Sequence, residues 1–355
     1  MMHRFDVAII GAGIAGASLG WALARRGLDV VLLEAEDQPG YHTTGRSAAF
    51  WVESYGGPEI VPLSRASRAF FAAPPEGFGP LLSLRQAVHL QAPDAPETLE
   101  ELAAEFDAGG VAYEHVGVDW LARYAMLRPE WRQAGILEAD CHDIDVAALH
   151  QGFLRGLTLL TGFRVSQAER EAGLWQLNGA VAAPVVVNAA GAWADGVGAV
   201  LGCAPKGLQP LRRTMAVLRL DPEPPADLPV MLDSALRFYF KPDAGRLWLS
   251  PHDETPDVPH DVRPDEMDLA VVIDRFERVS TSRVVRLERS WAGLRTFARD
   301  RKPVLGFDPG IEGVFWCAGQ GGFGIQTAPA VADLCARVLT GEAADAGAYD
   351  AARAL

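Results

Sequence analysis

Apolar and polar positions alternate along the chain in blocks whose period changes from segment to segment. Val7–Ile10 is an unbroken apolar run, and a short run of that kind bounded by turn residues reads as a strand buried on both faces. Gly11, Gly13 and Gly16 follow it. Then come Trp21, Leu23 and Ala24 in a helical pattern, a stop at Gly27, a second apolar run Val30–Leu33, and Glu34. The order predicts strand, helix, strand. The Gly-, Ser- and Thr-rich stretch 38–51 reads as a loop entering a short helix near Arg46–Phe50. Residues 62–73 put Leu63, Ala66 and Phe70 on one helical face; 81–91 alternate like a strand; 96–107 read as an acidic helix closed by Gly109 and Gly110. Asp145 can cap a helix whose period is carried by Val146, Leu149, Phe153, Leu154 and Leu157. A hairpin is expected over 163–182, and 184–195 begins as a fully apolar strand that ends in small residues, as a central parallel strand does where it meets a ligand. Residues 211–219, 228–241 and 245–251 alternate as antiparallel strands, with 241–245 as a turn. The segment 264–278 has the spacing of an amphipathic helix, and 284–295 reads as a strand. The end of the chain, 314–339, resembles its start: strand, glycine-rich turn, helix.

The opening unit carries the first chemistry. In Gly11-x-Gly13-x-x-Gly16, the first glycine permits a tight turn, the second lets backbone approach a pyrophosphate, and the third lets helix pack on strand. The helix N-terminus offers N–H groups and partial positive charge to phosphates. Glu34 is placed to accept hydrogen bonds from a ribose hydroxyl, and an acid there disfavours a 2′-phosphate. The unit therefore predicts dinucleotide binding with NADP disfavoured, and by itself leaves FAD and NAD open.

Bulk properties narrow the classes. At 355 residues the chain is long for a single core, so two interleaved or sequential domains are expected, with Pro74-Pro75 and the segment 77–80 marking an exit from the first. A net charge of −14 argues against nucleic acid and against an anionic membrane surface, while a local arginine pair can still hold an acidic substrate. Cys141, Cys203, Cys317 and Cys335 are far apart, form no C-x-x-C pair, and read as reduced residues of a cytoplasmic protein. MMHRF leads straight into the first strand, which leaves no space for a signal peptide; no apolar run is long enough to span a bilayer; and no metal site is expected. The localisation expected is cytoplasmic, with peripheral association at the inner membrane left open.

Taken together, the opening unit, QPGYHTTGRSAA (38–49), ALHQGFLRGL, VNAAGAW, FYFKPDAG, SWAGLR and QGGFGIQT resemble an FAD-dependent oxidoreductase of the D-amino-acid oxidase/glycine oxidase group, nearly end to end. Within it the chain is most similar to bacterial D-amino-acid dehydrogenases of the D-arginine type. The resemblance implies an α/β (α+β overall) fold, with a Rossmann-type FAD-binding domain (1–79, 140–207, 296–355) interleaved with an antiparallel-sheet substrate domain (80–139, 208–295). It implies FAD held by Gly11, Gly13, Ile14, Ala15, Gly16 and Glu34 at the adenosine end. Thr44, Arg46, Ser47 and Ala48 would lie along the pyrophosphate and ring. Val165, Ala190, Gly191, Trp193 and Gly293 would line the cofactor, and Gly321, Gly322, Phe323, Gly324, Ile325, Gln326 and Thr327 would close over the pyrimidine edge. Some relatives tether the flavin through a cysteine in the segment that corresponds to 296–302. TFARDRK has none, so FAD is expected to be noncovalent.

By the same resemblance Arg213 and Arg295 grip the substrate α-carboxylate, a task suited to the planar guanidinium fork, while Tyr55 and Tyr239 supply hydroxyls. Strand alternation lets only one of Arg212 and Arg213 face inward, and the resemblance picks Arg213. The reaction implied is hydride transfer from Cα to flavin N5, giving an imino acid that hydrolyses to a 2-oxo acid. No general base is required, and His42 and His252 read as loop residues. Phe50, Val52, Ala87, Leu232 and Gly321 are expected to form the substrate pocket. Where the D-arginine-using relatives carry a glutamate for the guanidinium, the resemblance places Ala87, or with a slip of one residue Gln86, which is also uncharged; where they have a histidine and a threonine, it places Phe50 and Val52. A cationic substrate would meet no counter-charge, which is costly in a desolvated pocket. The expected substrate is a D-amino acid with an apolar or aromatic side chain. Secondary amines of the D-proline or sarcosine kind, 2-hydroxy acids, and a role as flavin subunit of a heteromeric dehydrogenase are the alternatives. Trp248 stands where oxidases of the sarcosine branch place a lysine, so a quinone-like electron acceptor is favoured over oxygen.

Overall fold

The computed structural model describes residues 2–354. Val7–Ile10 lies at the centre of a six-stranded sheet. Its order is 158–160, 30–33, 7–10, 185–188, 314–318 and 304–307, parallel except for the last pair. Alternation along the central strand explains the layers. Val7 and Ile9 pack against the helices Ile14–Ala24 and Gly324–Leu339, through Leu19, Leu23, Val331 and Cys335. Ala8 and Ile10 face the other way, toward Trp175, Leu177 and Trp316 and a four-stranded sheet that covers that side. Gly16 is where the first helix meets the turn. A Cβ there would collide with the Gly11 carbonyl oxygen, so only glycine allows the contact.

A second, nine-stranded sheet holds 82–138 and 209–297 in part. Its backbone is the pairing of two long strands, Gln209–Asp221 and Arg283–Phe297, continuous in register from Gln209↔Phe297 to Val217↔Arg289 and shifted after Val217 and after Arg219 on the way to Asp221↔Arg283. One face packs on the helix Glu266–Val279 through Leu218, Phe240, Val272 and Phe276. The other face looks toward the glycine turn at 319–323. One pair, 230–233 with 87–90, is parallel in an otherwise antiparallel sheet; the two strands lie far apart in sequence, so no hairpin dictates their direction.

Several expected elements are corrected. No helix forms near Arg46–Phe50. A single 3₁₀ turn, Thr44–Arg46, leads into extended chain, and Phe50 and Trp51 pair with Asp143 and His142, so sheet pairing overrides the helix-forming alanines. The strand expected over 81–91 breaks at Gln86, which has a φ of 66°; Leu82–Leu84 and Ala87–Leu90 join different sheets. The run 228–241 likewise splits, into Val230–Asp233 and Tyr239–Asp243, around the left-handed Leu236. Asp145 caps Val146–Leu154 as expected, accepting from the Ala148 N–H at 2.8 Å.

Gly16→Ala should destabilise the protein by about 1–3 kcal/mol through overpacking against backbone that cannot yield. Thermal unfolding and the flavin content of the purified variant check this. A variant that keeps both at wild-type level would contradict the packing described.

Candidate active site

Two cavities meet between the sheets. The first is walled by the opening turn, by Glu34, by the segment 40–48, and by Val165, Ala190, Gly191 and Trp193. Gly293, Gly321, Gly322, Gly324 and Ile325 complete it. Gly11, Gly13, Ile14, Ala15, Thr44, Arg46, Ser47 and Ala48 all face it as well. Glu34 is held in place by the Ala12 and Glu36 N–H groups, at 2.9 and 3.0 Å, which leaves further lone pairs on its oxygens. The hydroxyl of Thr44 accepts from the Ile14 N–H at 3.0 Å and ties the 3₁₀ turn to the helix N-terminus. Arg46 lies in the wall with its guanidinium turned to Asp261 and to the Val262 and Ala292 carbonyls, so its charge latches a loop.

Four of the residues expected at the cofactor stand elsewhere. Gly16 packs helix on strand. Phe323 and Gln326 face the second cavity, and Thr327 is fully buried with its hydroxyl on the Phe323 carbonyl. The helix beginning at Gly324 rotates successive side chains away from the turn, so only its first residues reach the first cavity. Conversely, Glu36, Phe163 and Arg164, which no motif marked, line this cavity, as does His42, expected only as a loop residue. His42 lies against Trp193 with the rings tilted at 47° and centroids 4.5 Å apart, and bonds Glu36 at 3.1 Å, all in the wall of the first cavity.

The second cavity, about 600 Å³, shares Ser47, Ala48, Arg213, Tyr239, Arg295, Gly322 and Ile325 with the first. The long-strand register sets Arg213 opposite Gly293 and Leu211 opposite Arg295, which makes the two arginines diagonal neighbours on one face. Arg212 points the other way, to Asp268 at 2.8 Å. Arg213 is 4% exposed and donates from Nε to the Asp253 carbonyl at 2.8 Å and from Nη2 to Glu254 at 3.4 Å. Burial, and after it the charge of Arg295, pushes its guanidinium below the ordinary range. Arg295 donates to the Tyr55 hydroxyl at 2.8 Å. Two cations held this close in a half-dry wall form a ready site for an anion, and a carboxylate fits the paired forks. Gly322 makes room for the pair: a Cβ there would collide with the Tyr55 hydroxyl and lie 2.9 Å from Arg295 Nη1. Tyr239 contacts Phe50 edge-on at 5.9 Å, and its hydroxyl makes only a weak contact with Met215 Sδ.

Phe50, Val52 and Leu232 line this cavity, with Leu102, Phe106, Leu236 and Phe297. Ala87 does not. It is completely buried behind the wall, against Val52, Cys141 and Tyr239, because its short side chain stops under its neighbours. Gly321 faces only the first cavity. The expectation that no acidic group approaches the pocket is also corrected. Glu105 and Glu254 lie in its wall, and Glu138 sits behind it, on a strand (Ala134–Glu138) that the alternation pattern did not reveal. Glu254 is engaged by Arg213 and Arg301, and Glu138 by Ser54 and His89. His252 also lines the cavity. Its Nδ1 donates to the Leu236 carbonyl at 2.8 Å, and burial, then the charge of Arg213, lowers its pKa to about 3.

The cavities and their residues place the chain among known proteins. A family model described as FAD dependent oxidoreductase matches residues 6–338. The chain belongs to that family. It is 27% identical over 369 residues to the glycine oxidase of Geobacillus kaustophilus (strain HTA426), covering 96% of this chain and 95% of that protein. In fold it matches the crystal structure of glycine oxidase from Geobacillus kaustophilus with a TM-score of 0.85 at 23% identity, over 100% of both chains. It also matches L-proline dehydrogenase from P. horikoshii at 0.83 and 19%, over 96% of this chain and 95% of that one. As in other members of this FAD-dependent family, FAD is the cofactor, and the first cavity suits it. Gly13 lines the space, where an added Cβ would lie 3.2 Å from the Thr44 hydroxyl, the helix N-terminus faces it, and Glu34 presents unfilled lone pairs. Among the described residues no helix is long and apolar enough to cross a membrane.

Two outcomes are expected. Gly322→Ala should displace the Tyr55–Arg295 pair and weaken binding of an aromatic carboxylate such as benzoate by about tenfold or more, read from the flavin absorbance, since hydrogen bonds to charged groups contribute roughly 1.5–3 kcal/mol. Because the folded-state pKa of His252 is lowered to about 3, below the unfolded value, the folded protein binds fewer protons in between, and stability should fall as pH drops from about 6.5 toward about 3. His252→Asn, which tolerates the left-handed backbone there, should flatten that part of the urea-unfolding pH profile.

Proposed function

We propose that this FAD-dependent oxidoreductase oxidises the α-carbon of a D-amino acid with an apolar or aromatic side chain, giving an imino acid that water converts to the 2-oxo acid. The observation that carries the reading is the pair of diagonal arginines, Arg213 and Arg295, where the cofactor cavity opens into a second, largely apolar one. Bound FAD supplies the two-electron acceptor.

The chain's own residues do the rest. Arg213 and Arg295, with Tyr55, fix the α-carboxylate and so aim the Cα–H toward the shared boundary of the cavities. Neutral His252 donates from Nδ1 to backbone, which leaves Nε2 as its acceptor; such a ring can take a hydrogen bond from the substrate amine without adding charge beside Arg213. Phe50, Val52, Leu232 and Phe297 surround the side chain and exclude water. A cationic side chain remains disfavoured in this reading, because Glu138 and Glu254 already hold other partners and Glu105 is solvent-exposed. The D configuration is supported by the sequence resemblance, and noncovalent FAD by the cysteine-free segment 296–302.

For the electron acceptor we favour a quinone-like compound over oxygen. Trp248 packs edge-on against Trp291 at 5.1 Å, and the neighbouring Lys241 is held by Asp143 at 2.6 Å. That lysine is therefore not free to promote reaction with oxygen.

The test is a panel of D- and L-amino acids, sarcosine, D-proline and 2-hydroxy acids, offered to the FAD-loaded protein with a dye acceptor. D-Phe, D-Leu and D-Met should lead. Faster turnover of D-Arg or D-Lys would overturn the side-chain assignment, and preference for an L-amino acid or a hydroxy acid would overturn the configuration or the reaction.

A further inference from the structure

We propose that Ser54, His89 and Glu138 form a hydrogen-bonding subsite in the second cavity that selects an aromatic side chain ending in a donor, a phenol hydroxyl or an indole N–H. This deepens the reading above and rests on it, since the α-carboxylate must sit at Arg213 and Arg295 for the side chain to extend toward the trio.

The placement follows from strand alternation. On the cavity face of the nine-stranded sheet, Tyr239 stands beside Leu232 and Leu232 beside His89, by the registers Leu232↔Tyr239 and Leu232↔His89. Glu138 lies diagonal to His89, since Ala87 opposes Glu138 and His89 opposes Ile136. From Tyr239 to His89 is two strand spacings, roughly 10 Å. The stretch between is apolar, with Leu232 and Phe50 in the wall. A short aliphatic side chain ends within it, whereas a phenol or indole reaches across. The chain itself links the two ends. Tyr55 reaches Arg295 at 2.8 Å, and the residue before it, Ser54, reaches Glu138 at 2.8 Å.

The trio is built for hydrogen bonding. Glu138 is 3% exposed, and its Oε1 takes both the Ser54 hydroxyl and His89 Nε2, the latter at 3.0 Å. His89 is 5% exposed and lines the cavity, and its Nδ1 is buried with no partner among the described residues. A neutral imidazole that donates from Nε2 to a carboxylate keeps a lone pair on Nδ1. Nδ1 has no surface open to the cavity that the residue lines, so a ligand reaches it by turning the ring; an unused buried acceptor is costly, and a ligand that donates to it recovers that cost. Nothing in the carboxylate grip or the cofactor cavity uses these three residues.

The experiment is calorimetric binding of unreactive substrate mimics to the FAD-loaded protein: 3-phenylpropanoate against 3-(4-hydroxyphenyl)propanoate, and 3-(indol-3-yl)propanoate against its N-methyl derivative. The wild type should favour the donor of each pair about tenfold, in the range of one hydrogen bond. The kcat/KM ratio of D-Tyr to D-Phe should follow. His89→Phe should abolish the preference while leaving 3-phenylpropanoate binding within about twofold, and Ser54→Ala, a smaller change, should reduce it if His89→Phe does not fold. Equal affinities in the wild type, or a preference that survives His89→Phe, would overturn the subsite. Failure of 3-phenylpropanoate to bind, or binding indifferent to Arg213→Lys, would instead strike the carboxylate grip, and this proposal would fall with it.

Discussion

Two arginines held side by side in a mostly buried wall repel one another, and much of the local structure serves to hold them there. The diagonal placement of Arg213 and Arg295 is a product of register. A slip of one residue between Gln209–Asp221 and Arg283–Phe297 would turn one of them to the opposite face, toward the helix that Arg212 now meets. The thirteen paired positions of these strands make that slip expensive. Partners then limit the repulsion without cancelling it. Asp253 offers Arg213 a carbonyl oxygen, Glu254 lies at 3.4 Å, and Tyr55 caps Arg295. Glu254 also bonds Arg301, so its charge is divided. The site is left short of one anion, in the place where the two cavities meet.

The same alternation that aims the arginines arranges everything they face. Tyr239, Leu232, His89 and Met215 share their side of the sheet, while Phe240, Met231, Val88 and Ala216 fill the opposite core. The six-stranded sheet contributes mainly the loops at its strand ends to the site: the opening glycine turn, the segment 189–193, and the turn at 319–322, with Ile10 and Leu33 at the last positions of their strands. In α/β sheets such loops at the carboxyl ends of strands are where ligands bind. Gly322 is the hinge of this arrangement, since it carries cofactor-side backbone past the Tyr55–Arg295 pair at a distance that no side chain permits. The two cavities are thus coupled through packing at one residue.

Much of this was legible in the sequence, and the limits have physical causes. Four strands of the six-stranded sheet could be read because they are continuously apolar and followed by glycine-rich or small-residue turns, signals that local chemistry controls; the edge strands 158–160 and 304–307 carry no such signal and take their place from their neighbours. Arg295 and Tyr239 could be picked out because they lie in SWAGLR and FYFKPDAG, whereas Arg213 and Tyr55 were assigned by resemblance alone. What was not legible depends on partners distant in sequence. Phe50 and Trp51 form strand because His142 and Asp143 lie beside them. Strand Ala134–Glu138 carries little alternation because it is buried on both sides, so Glu138 gave no sign of approaching the pocket. His42 and His252 resemble loop residues in sequence, and only the tertiary fold gives them Trp193 and Arg213 as neighbours.

The position of Glu138 changes the meaning of Ala87. Where the D-arginine-using relatives have a carboxylate at residue 87, this chain has a methyl group, and directly across the strand pair it has Glu138. The negative charge has been kept within one strand spacing but withdrawn from the cavity. A carboxylate open to the cavity would attract a cation by Coulomb force over its whole approach. Here the carboxylate is covered by a serine and a histidine, so what reaches the wall is a hydroxyl and an imidazole ring, with direction and short range. In the proposed reading, long-range charge selection is exchanged for selection by contact. In a pocket walled by Phe50, Val52 and Leu232, a ligand must first gain from apolar burial before the ring at its end can distinguish one aromatic side chain from another.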